Sequence, residues 1–418
     1  MRRSPRLNCS FHCCLLFTLA LSFAVSTSGS MAQDKHPFQD PSLPIEKRIT
    51  NLLSLMTLDE KIAVLGKSTA VPRLGVPNAG STEGIHGLQQ RGLPGVGHEN
   101  SVPTTQFAQV VGMAQTWDVG LIQRAGKVEG VEARYIAQHE DRFGRPTPPL
   151  VVWAPNADLA RDPRWGRGDE SYGEDPFFDG TMVAAFVRGL QGDDPNHLQV
   201  ASLLKHFLAN SNEHGRYYSS SDFDERLFRE YYSVPFRMAF EAGASSYMAS
   251  LNAWNSVPMA MNPVLDSIVA KEWNADGIVS TDAEAISYAV SRHKYFPGTK
   301  EAIAASIKIG VNQFLDNYEG PMRDALKANL ISESDIDHAL RGKFRTVIRL
   351  GLLDPPSSAG GADSTTKPEP WNSPTDKEVA LEVAREGIVL LKNAKGTLPL
   401  DRHSIKSIAV YGDHASKV

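Results

Sequence analysis

A carboxylate directly follows a short apolar segment near residue 280. Residues 277–281 are typical of a buried β-strand, and Asp282 comes next. An aspartate after a strand most often caps the N-terminus of the following helix. In a parallel barrel, however, the carboxyl ends of the strands present catalytic side chains to the substrate. Asp282 is therefore a candidate nucleophile as well as a candidate helix cap.

A second strand-like segment ends in two basic side chains. The apolar residues 200–204 precede Lys205 and His206. An ammonium group, an imidazole and a carboxylate at neighbouring strand ends would form a polar pocket that suits a polyhydroxylated ligand. Together, the two segments favour the catalytic interpretation of Asp282 over the capping interpretation.

Strand-like and helix-like segments alternate around these residues. Strands are predicted at 149–153, 200–204, 246–250, 277–281 and 310–315. Helices are predicted at 179–190, 225–242, 262–273 and 332–350. This alternation predicts a parallel α/β domain over residues 37–354, and its length favours a (β/α)8 barrel of the TIM type over an open sheet.

The beginning of the chain has the pattern of a secretory signal peptide. Three arginines precede an apolar stretch at 13–25, and residues 30–32 offer a small-residue cleavage site. We expect residues 1–32 to be removed and the remainder to be exported, either to a periplasm or outside the cell. All three cysteines lie in this segment, so the exported chain would form no disulfides and would depend on a large core.

The composition argues against several classes of function. The formal net charge is −5, and the region after the signal peptide contains no basic cluster, so nucleic acid is not an expected partner. No later apolar run approaches the roughly 20 residues of a membrane helix, so no membrane association is expected. The sequence contains no closed set of metal ligands and no glycine-rich nucleotide loop between a strand and a helix. We therefore expect neither a metal nor a cofactor, and the sequence indicates no oligomeric state.

The character of the sequence changes after residue 354. Residues 355–375 are rich in proline, glycine and serine without periodicity, which is typical of a linker. Beyond it, a helix is predicted at 376–386 and strands at 387–392 and 405–411. Because a sheet needs several strands, we expect residues 376–418 to be the incomplete start of a second domain in a longer protein.

Five motifs, in this order, resemble those of glycoside hydrolase family 3. They lie at residues 83–87, 161–167, 173–176, 205–207 and 280–282. Residues 387–393 and 398–400 resemble the start of the family's second domain, an α/β sandwich. The family contains exo-acting, retaining β-glucosidases and β-xylosidases with an N-terminal (β/α)8 barrel. One such motif alone would mean little, whereas five in order are specific.

The resemblance implies roles for five residues. Asp282 would be the nucleophile that attacks the anomeric carbon and forms a covalent glycosyl-enzyme. Glu83, Arg167, Lys205 and His206 would bind the non-reducing-end sugar and stabilise its distorted ring in the transition state. We expect structural roles for other polar residues in and between these motifs, namely His86, Arg161, Arg164, Asp169, Glu170 and Glu174.

Two positions depart from the family pattern. Ala283 follows the nucleophile where an aromatic residue is often found, and Leu251 replaces a common tyrosine. These departures leave the leaving-group side of the site undefined. Trp165 and Trp254 are candidates for packing against a sugar, although both are equally typical of a buried core.

The general acid/base has no candidate from the main motifs. In two-domain members of the family it is a glutamate of the second domain. A single-domain branch, the β-N-acetylglucosaminidases, uses a histidine on the loop after residues 205–207. His214 lies on that loop, but the Pro-Gly-His-Gly start of that branch is absent, so we expect an ordinary loop histidine.

The expected function is a retaining exo-β-glycosidase that removes terminal β-D-glucosyl or β-D-xylosyl residues from oligosaccharides or other glycosides. β-Glucosidase activity is the first expectation and β-xylosidase activity the second. Glu83 favours xylosides, because its side chain is longer than the aspartate common in β-glucosidases and fills space near C6 of the sugar. Two alternatives remain: a non-catalytic sugar-binding fragment, and a single-domain β-N-acetylglucosaminidase.

Overall fold

The computed structural model describes residues 36–89, 102–139, 148–355, 368–412 and 415. The predicted signal peptide at 1–32 and most of the predicted linker lie outside these residues. None of the described helices is long and apolar enough to cross a membrane.

A five-stranded parallel sheet positions the predicted site. In spatial order its strands are β1 Thr82–Glu83, β2 Val151–Trp153, β3 Ala201–Phe207, β5 Ser246–Ala249 and β8 Val279–Thr281. Each neighbouring pair runs parallel. Every residue of the third and fourth of these strands is buried, as expected for a parallel sheet covered on both faces. A second sheet joins three short strands, β4 Ser220–Ser221, β6 Ala253–Trp254 and β7 Val257–Pro258.

Four of the five predicted strands are confirmed, and the prediction of a strand at 310–315 is wrong. That segment contributes only an isolated parallel bridge between Gln313 and Ser280. Side chains take over part of its hydrogen bonding, since the Asn312 amide oxygen accepts from the Val279 backbone N–H and the Thr281 hydroxyl accepts from the Leu315 N–H. In a regular β-ladder these backbone N–H groups would donate to backbone carbonyls of the neighbouring strand. Because they donate to side chains instead, no regular ladder forms between this segment and β8.

Helices pack around the sheet. They are α1 Ile45–Leu55, α2 Leu58–Val64, α3 Val110–Ala114, α4 Val119–Gln138, α5 Pro176–Gln191, α6 Glu225–Leu227, α7 Val234–Glu241, α8 Ala285–Ser291, α9 Thr299–Lys308, α10 Glu319–Lys327, α11 Glu333–Arg349 and α12 Pro374–Glu386. Helices α4 and α5 approach each other closely because glycines lie at their contact. A Cβ on Gly126 would lie 2.5 Å from the Phe186 carbonyl oxygen, and one on Gly189 would lie 2.0 Å from that of Gln123.

The predicted helix at 332–350 is confirmed as α11, whose first turn has the expected capping box of Ser332 and Asp335. The predicted helix at 225–242 is interrupted. A π-helical turn, Phe228–Tyr232, separates α6 from α7, and Pro235 in the first turn of α7 has no N–H to continue an upstream ladder. The predicted helix at 262–273 is reduced to a π-helical turn at Leu265–Ala270.

The segment after α12 does not form the strands predicted for it. Residues 387–392 and 405–411 contain no strand within the described part of the chain. Their apolar side chains face solvent: Leu391 and Tyr411 are each 91% exposed. A strand requires a hydrogen-bonded neighbour, and these segments pair with no described residue as strands do. The second domain therefore stays a prediction.

Candidate active site

The predicted site residues lie at the carboxyl ends of the parallel strands. Glu83 ends β1, Lys205 and His206 lie near the end of β3, and Asp282 immediately follows β8. The backbone N–H of Asp282 donates to the carbonyl of Ala249 at the end of β5, at 3.2 Å. In parallel α/β proteins this edge of the sheet is where ligands bind.

Lys205 and Glu83 form an ion pair across the strand ends. The Lys205 Nζ donates to Glu83 Oε2 at 2.5 Å. The lysine side chain is 5% exposed, whereas that of Glu83 is 31% exposed. The buried lysine thus fixes the position of the glutamate. The carboxylate of Glu83 remains accessible enough to accept hydrogen bonds from a ligand.

His206 is held by Asp158, which lies in the loop after β2. Asp158 Oδ2 accepts from the His206 backbone N–H at 3.1 Å and lies 2.9 Å from His206 Nδ1. The other ring nitrogen, Nε2, lies 3.5 Å from each terminal nitrogen of Arg167. A carboxylate on one side and a guanidinium on the other favour the tautomer with the proton on Nδ1.

Consecutive strand residues normally point to opposite faces, yet both Lys205 and His206 reach the site. The register between β3 and β5 shifts between Leu204 and Phe207. Such an irregularity redirects side chains and is common beside active sites. It allows one strand to supply both basic groups.

Arg167 forms a bidentate ion pair with Glu170. Its Nε and one terminal nitrogen each donate to a different carboxylate oxygen, both at 2.7 Å. Burial alone would lower the pKa of Arg167, but the hydrogen bonds and charge of Glu170 outweigh it and raise that pKa. Burial would likewise raise the pKa of Glu170, and the guanidinium outweighs it and lowers that pKa. Both groups therefore remain charged beside His206.

Asp282 is half-buried and does not cap the following helix. Its Oδ1 accepts from the Ala283 N–H at 2.7 Å, whereas α8 begins at Ala285 with Glu284 in the N-cap position. Glu284 has a positive φ of 64°, and its N–H donates to Asp316. In the described part of the chain, no basic side chain forms an ion pair with Asp282. The structure therefore does not support the capping interpretation.

The other candidate residues have simpler environments. Trp165 is buried, and Trp254 stacks on Phe228 with ring centroids 4.8 Å apart. Leu251 is buried and its carbonyl lies 2.9 Å from His293 Nε2. His214 is exposed on its loop.

Two tyrosines that were not predicted meet near the loop after β8. Tyr217, from the loop after β3, packs against Tyr288 of α8 with ring centroids 5.0 Å apart. Tyr288 also donates from its hydroxyl to Glu284, two residues after Asp282.

Helix α4 carries two buried glutamates behind the loop that follows Glu83. A Cβ on Gly84 would lie 3.0 Å from Glu129 Oε2. Burial and the neighbouring Glu132 raise the pKa of Glu129. Burial also raises the pKa of Glu132 to about 7, although its carboxylate accepts hydrogen bonds from the N–H and hydroxyl of Thr105.

No cluster of three or more histidine, cysteine or acidic side chains suited to a metal ion occurs among the residues that the structure describes.

Comparison with protein families identifies a single matching domain. The profile described as the glycosyl hydrolase family 3 N-terminal domain matches residues 47–345. Probable β-D-xylosidase 7 of Arabidopsis thaliana is 36% identical over 402 residues, covering 92% of this chain and 51% of that protein. The chain spans about half the length of the curated relatives it matches.

Solved structures of two related enzymes share the fold. A GH3 exo-β-xylosidase in complex with a xylobiose aziridine activity-based probe superposes with a TM-score of 0.80 at 30% identity, covering 90% of this chain and 48% of that one. A β-glucosidase from Erythrobacter marinus gives a TM-score of 0.73 at 25% identity, covering 88% of this chain and 53% of that one.

Proposed function

Because the chain belongs to glycoside hydrolase family 3, we propose that it supplies the nucleophile and sugar-binding site of a retaining exo-β-glycosidase. The observation that carries this proposal is the position of Asp282 at a strand end. It is an acid without an ion-pair partner among the described residues, at the same sheet edge as Lys205 and His206. That edge combines an available carboxylate with several groups that can bind hydroxyls.

Asp282 acts as the nucleophile. An ionised carboxylate attacks the anomeric carbon and forms a glycosyl-enzyme, which water then hydrolyses with overall retention of configuration. The 2.7 Å hydrogen bond from the Ala283 N–H helps to orient the carboxylate. Because no lysine or arginine among the described residues neutralises Asp282, its charge is available to the developing oxocarbenium ion.

The other four residues bind the terminal sugar. Lys205 and Arg167 donate hydrogen bonds, Glu83 accepts them, and the Nε2 of His206 accepts one from a hydroxyl group. The ion pairs Lys205–Glu83 and Arg167–Glu170 fix these side chains before the sugar arrives. Preorganised groups of this kind stabilise the transition state without having to reorganise during the reaction.

The substrate carries a terminal β-D-xylosyl or β-D-glucosyl residue. The names of the relatives support xylosides, since one curated protein and one solved neighbour are β-xylosidases. The length of the Glu83 side chain supports the same choice, because it occupies space that C6 of a glucoside would need. The β-glucosidase neighbour supports glucosides as the second candidate.

The rest of the sequence-based architecture is also part of this proposal. We propose that the parallel sheet belongs to a closed (β/α)8 barrel over residues 37–354 and that residues 355–375 link it to an α/β sandwich starting at 376. In two-domain members of the family the second domain supplies the general acid/base, and we propose the same source here. The signal-peptide pattern of residues 1–32 supports export.

Covalent trapping tests the proposal directly. The protein would be incubated with 2-deoxy-2-fluoro-β-xylosyl fluoride or its glucosyl equivalent, and its peptides analysed by mass spectrometry. Fluoride leaves with little protonation, so labelling does not depend on the general acid. We expect one label per chain, on Asp282, with the xylosyl reagent reacting faster. A label on another residue would refute the nucleophile assignment.

Two substrate types distinguish the enzyme from a sugar-binding fragment. General acid catalysis is worth roughly 10²–10⁴ in rate and matters most for poor leaving groups. The 418-residue chain should therefore cleave an aryl xyloside with an acidic phenol far better than xylobiose. If it cleaves xylobiose as fast as a longer form of the protein, the acid/base lies within this chain and His214 becomes its candidate.

A further inference from the structure

The contact between Asp158 and His206 does more than neutralise charge. A single oxygen, Asp158 Oδ2, is in hydrogen-bond range of both the backbone N–H and the ring Nδ1 of His206. It therefore fixes the main chain and the ring of that residue at once. Both side chains are buried, at 1% exposure for Asp158 and 5% for His206, so water does not compete for the contact.

The second oxygen of Asp158 has no hydrogen-bond partner among the described residues, although it is buried. The contacts of this side chain with described residues are therefore those that Oδ2 makes with His206.

We propose that Asp158 is a positioning residue for His206. Asp158 keeps the His206 proton on Nδ1. Nε2, which lies 3.5 Å from each terminal nitrogen of Arg167, is then an unprotonated acceptor that a sugar hydroxyl can share with Arg167. The sugar-binding part of this inference rests on the proposed glycosidase function. The tautomer part does not.

The chain offers a matched control for this pair. On the surface, Asp194 Oδ2 lies 2.8 Å from His197 Nδ1, almost the same distance as in the buried pair. The side chains of Asp194 and His197 are 54% and 68% exposed, so solvent competes for their contact. If burial is what gives Asp158 its positioning role, only the buried pair should control a histidine tautomer.

The experiment records ¹⁵N spectra of histidine-labelled protein, which distinguish the two neutral tautomers and the cation. The signals of His206 and His197 are assigned from the variants His206→Gln and His197→Gln. In the wild type we expect His206 to hold its proton on Nδ1. In Asp158→Ala we expect that preference to be lost, whereas Asp158→Asn, which keeps an acceptor oxygen, should restore it. In Asp194→Ala the His197 tautomer should not change.

Kinetics and thermal melting separate positioning from folding. Asp158→Ala should lower kcat/KM by about 10- to 100-fold, the range known for residues that orient a ligating histidine, and Asp158→Asn should recover most of it. Loss of tautomer control in variants that melt as the wild type does would support positioning over a merely structural role.

Two results would overturn the inference. The first is a His206 tautomer in Asp158→Ala identical to that of the wild type. The second is a change of the His197 tautomer in Asp194→Ala as large as that of the His206 tautomer in Asp158→Ala. The spectra need no substrate, so a failure of the proposed glycosidase activity would leave the tautomer result interpretable.

Discussion

One strand of the sheet has an aspartate near each end, and the two have opposite environments. Asp276, before β8, accepts two hydrogen bonds from Arg349, at 2.8 and 3.1 Å, and lies 3.4 Å from Arg345 Nε. Asp282, after β8, accepts its described side-chain hydrogen bond from the neighbouring Ala283 N–H. The ion pairs of Asp276 stabilise the fold. Asp282 has no cationic partner among the described residues, so its carboxylate is available to a ligand.

The difference is more specific than a contrast between the two edges of the sheet. At the carboxyl edge, Glu83, Asp158 and Glu170 each contact a basic residue. Asp282 forms no such contact with a described residue. In parallel α/β barrels the carboxyl edge is associated with catalysis and the amino edge with stability. The two aspartates of β8 fit that division, and paired substitutions can test it.

The largest effect is expected for Asp282→Asn. The amide cannot attack the anomeric carbon, so kcat should fall on the order of 10⁴-fold or more, the scale seen when a covalent nucleophile is removed. Stability should change by less than about 0.5 kcal/mol, because no ion pair with a described residue is lost. Steady-state kinetics on an aryl xyloside or glucoside and urea unfolding measure the two quantities. Substantial residual activity, with labelling at another acid, would assign the chemistry elsewhere.

A third class of acid sharpens the comparison, namely the buried glutamates of α4. Burial raises the pKa of Glu132 from 4.5 to about 7. Between those values the folded protein binds more protons than the unfolded chain, so stability falls as the pH rises through this window. The loss at its upper end is about 3 kcal/mol, at roughly 1.4 kcal/mol per unit of pKa shift.

The variant Glu132→Gln should remove this pH dependence. Its free energy of unfolding, relative to that of the wild type, should rise by about 3 kcal/mol between pH 4.5 and 7. Urea unfolding at several pH values measures the difference. Glu241→Gln is the control, since that carboxylate lies on the surface of α7 and its variant should follow the wild type. Parallel curves for Glu132→Gln and the wild type would mean that Glu132 is ionised across this range.

The sequence predicts the residues that carry strong local signals. Lys205, His206 and Asp282 directly follow apolar segments, and the structure places all three at strand ends. Asp158 was missed, although it also follows a strand. It lies 48 residues before His206, and a single sequence does not show which distant side chains will meet. Tyr217 and Tyr288 were missed for the same reason.

The wrong strand predictions have a common physical origin. An apolar run indicates that a segment can form a strand, but a strand also needs backbone partners. At 310–315 side chains of Asn312 and Thr281 take part of that hydrogen bonding. At 387–392 and 405–411 no described segment pairs with the chain as a strand. Local pattern therefore predicted the helices with clear caps, such as α11, better than the strands.

The smallest effect is expected at the other end of β8, for Asp276→Asn. The substitution weakens charge-assisted hydrogen bonds to Arg349 and the contact with Arg345. Such bonds contribute about 1.5–3 kcal/mol each when shielded, but the Asp276 side chain is 35% exposed, so we expect a loss of about 1–2 kcal/mol in total. Urea unfolding at neutral pH measures it, and kcat should equal that of the wild type.

The control is Arg226→Ala, which removes a surface pair with Glu230 one turn away on an exposed helical segment. Such pairs contribute about 0.3–0.5 kcal/mol. Asp276→Asn should therefore be more destabilising than the control, even though both break an ion pair that faces solvent in part. If Asp276→Asn lowers kcat while leaving stability unchanged, the assignment of Asp276 to stability and Asp282 to catalysis is wrong. The unpaired state of Asp282 would then no longer be evidence for its role.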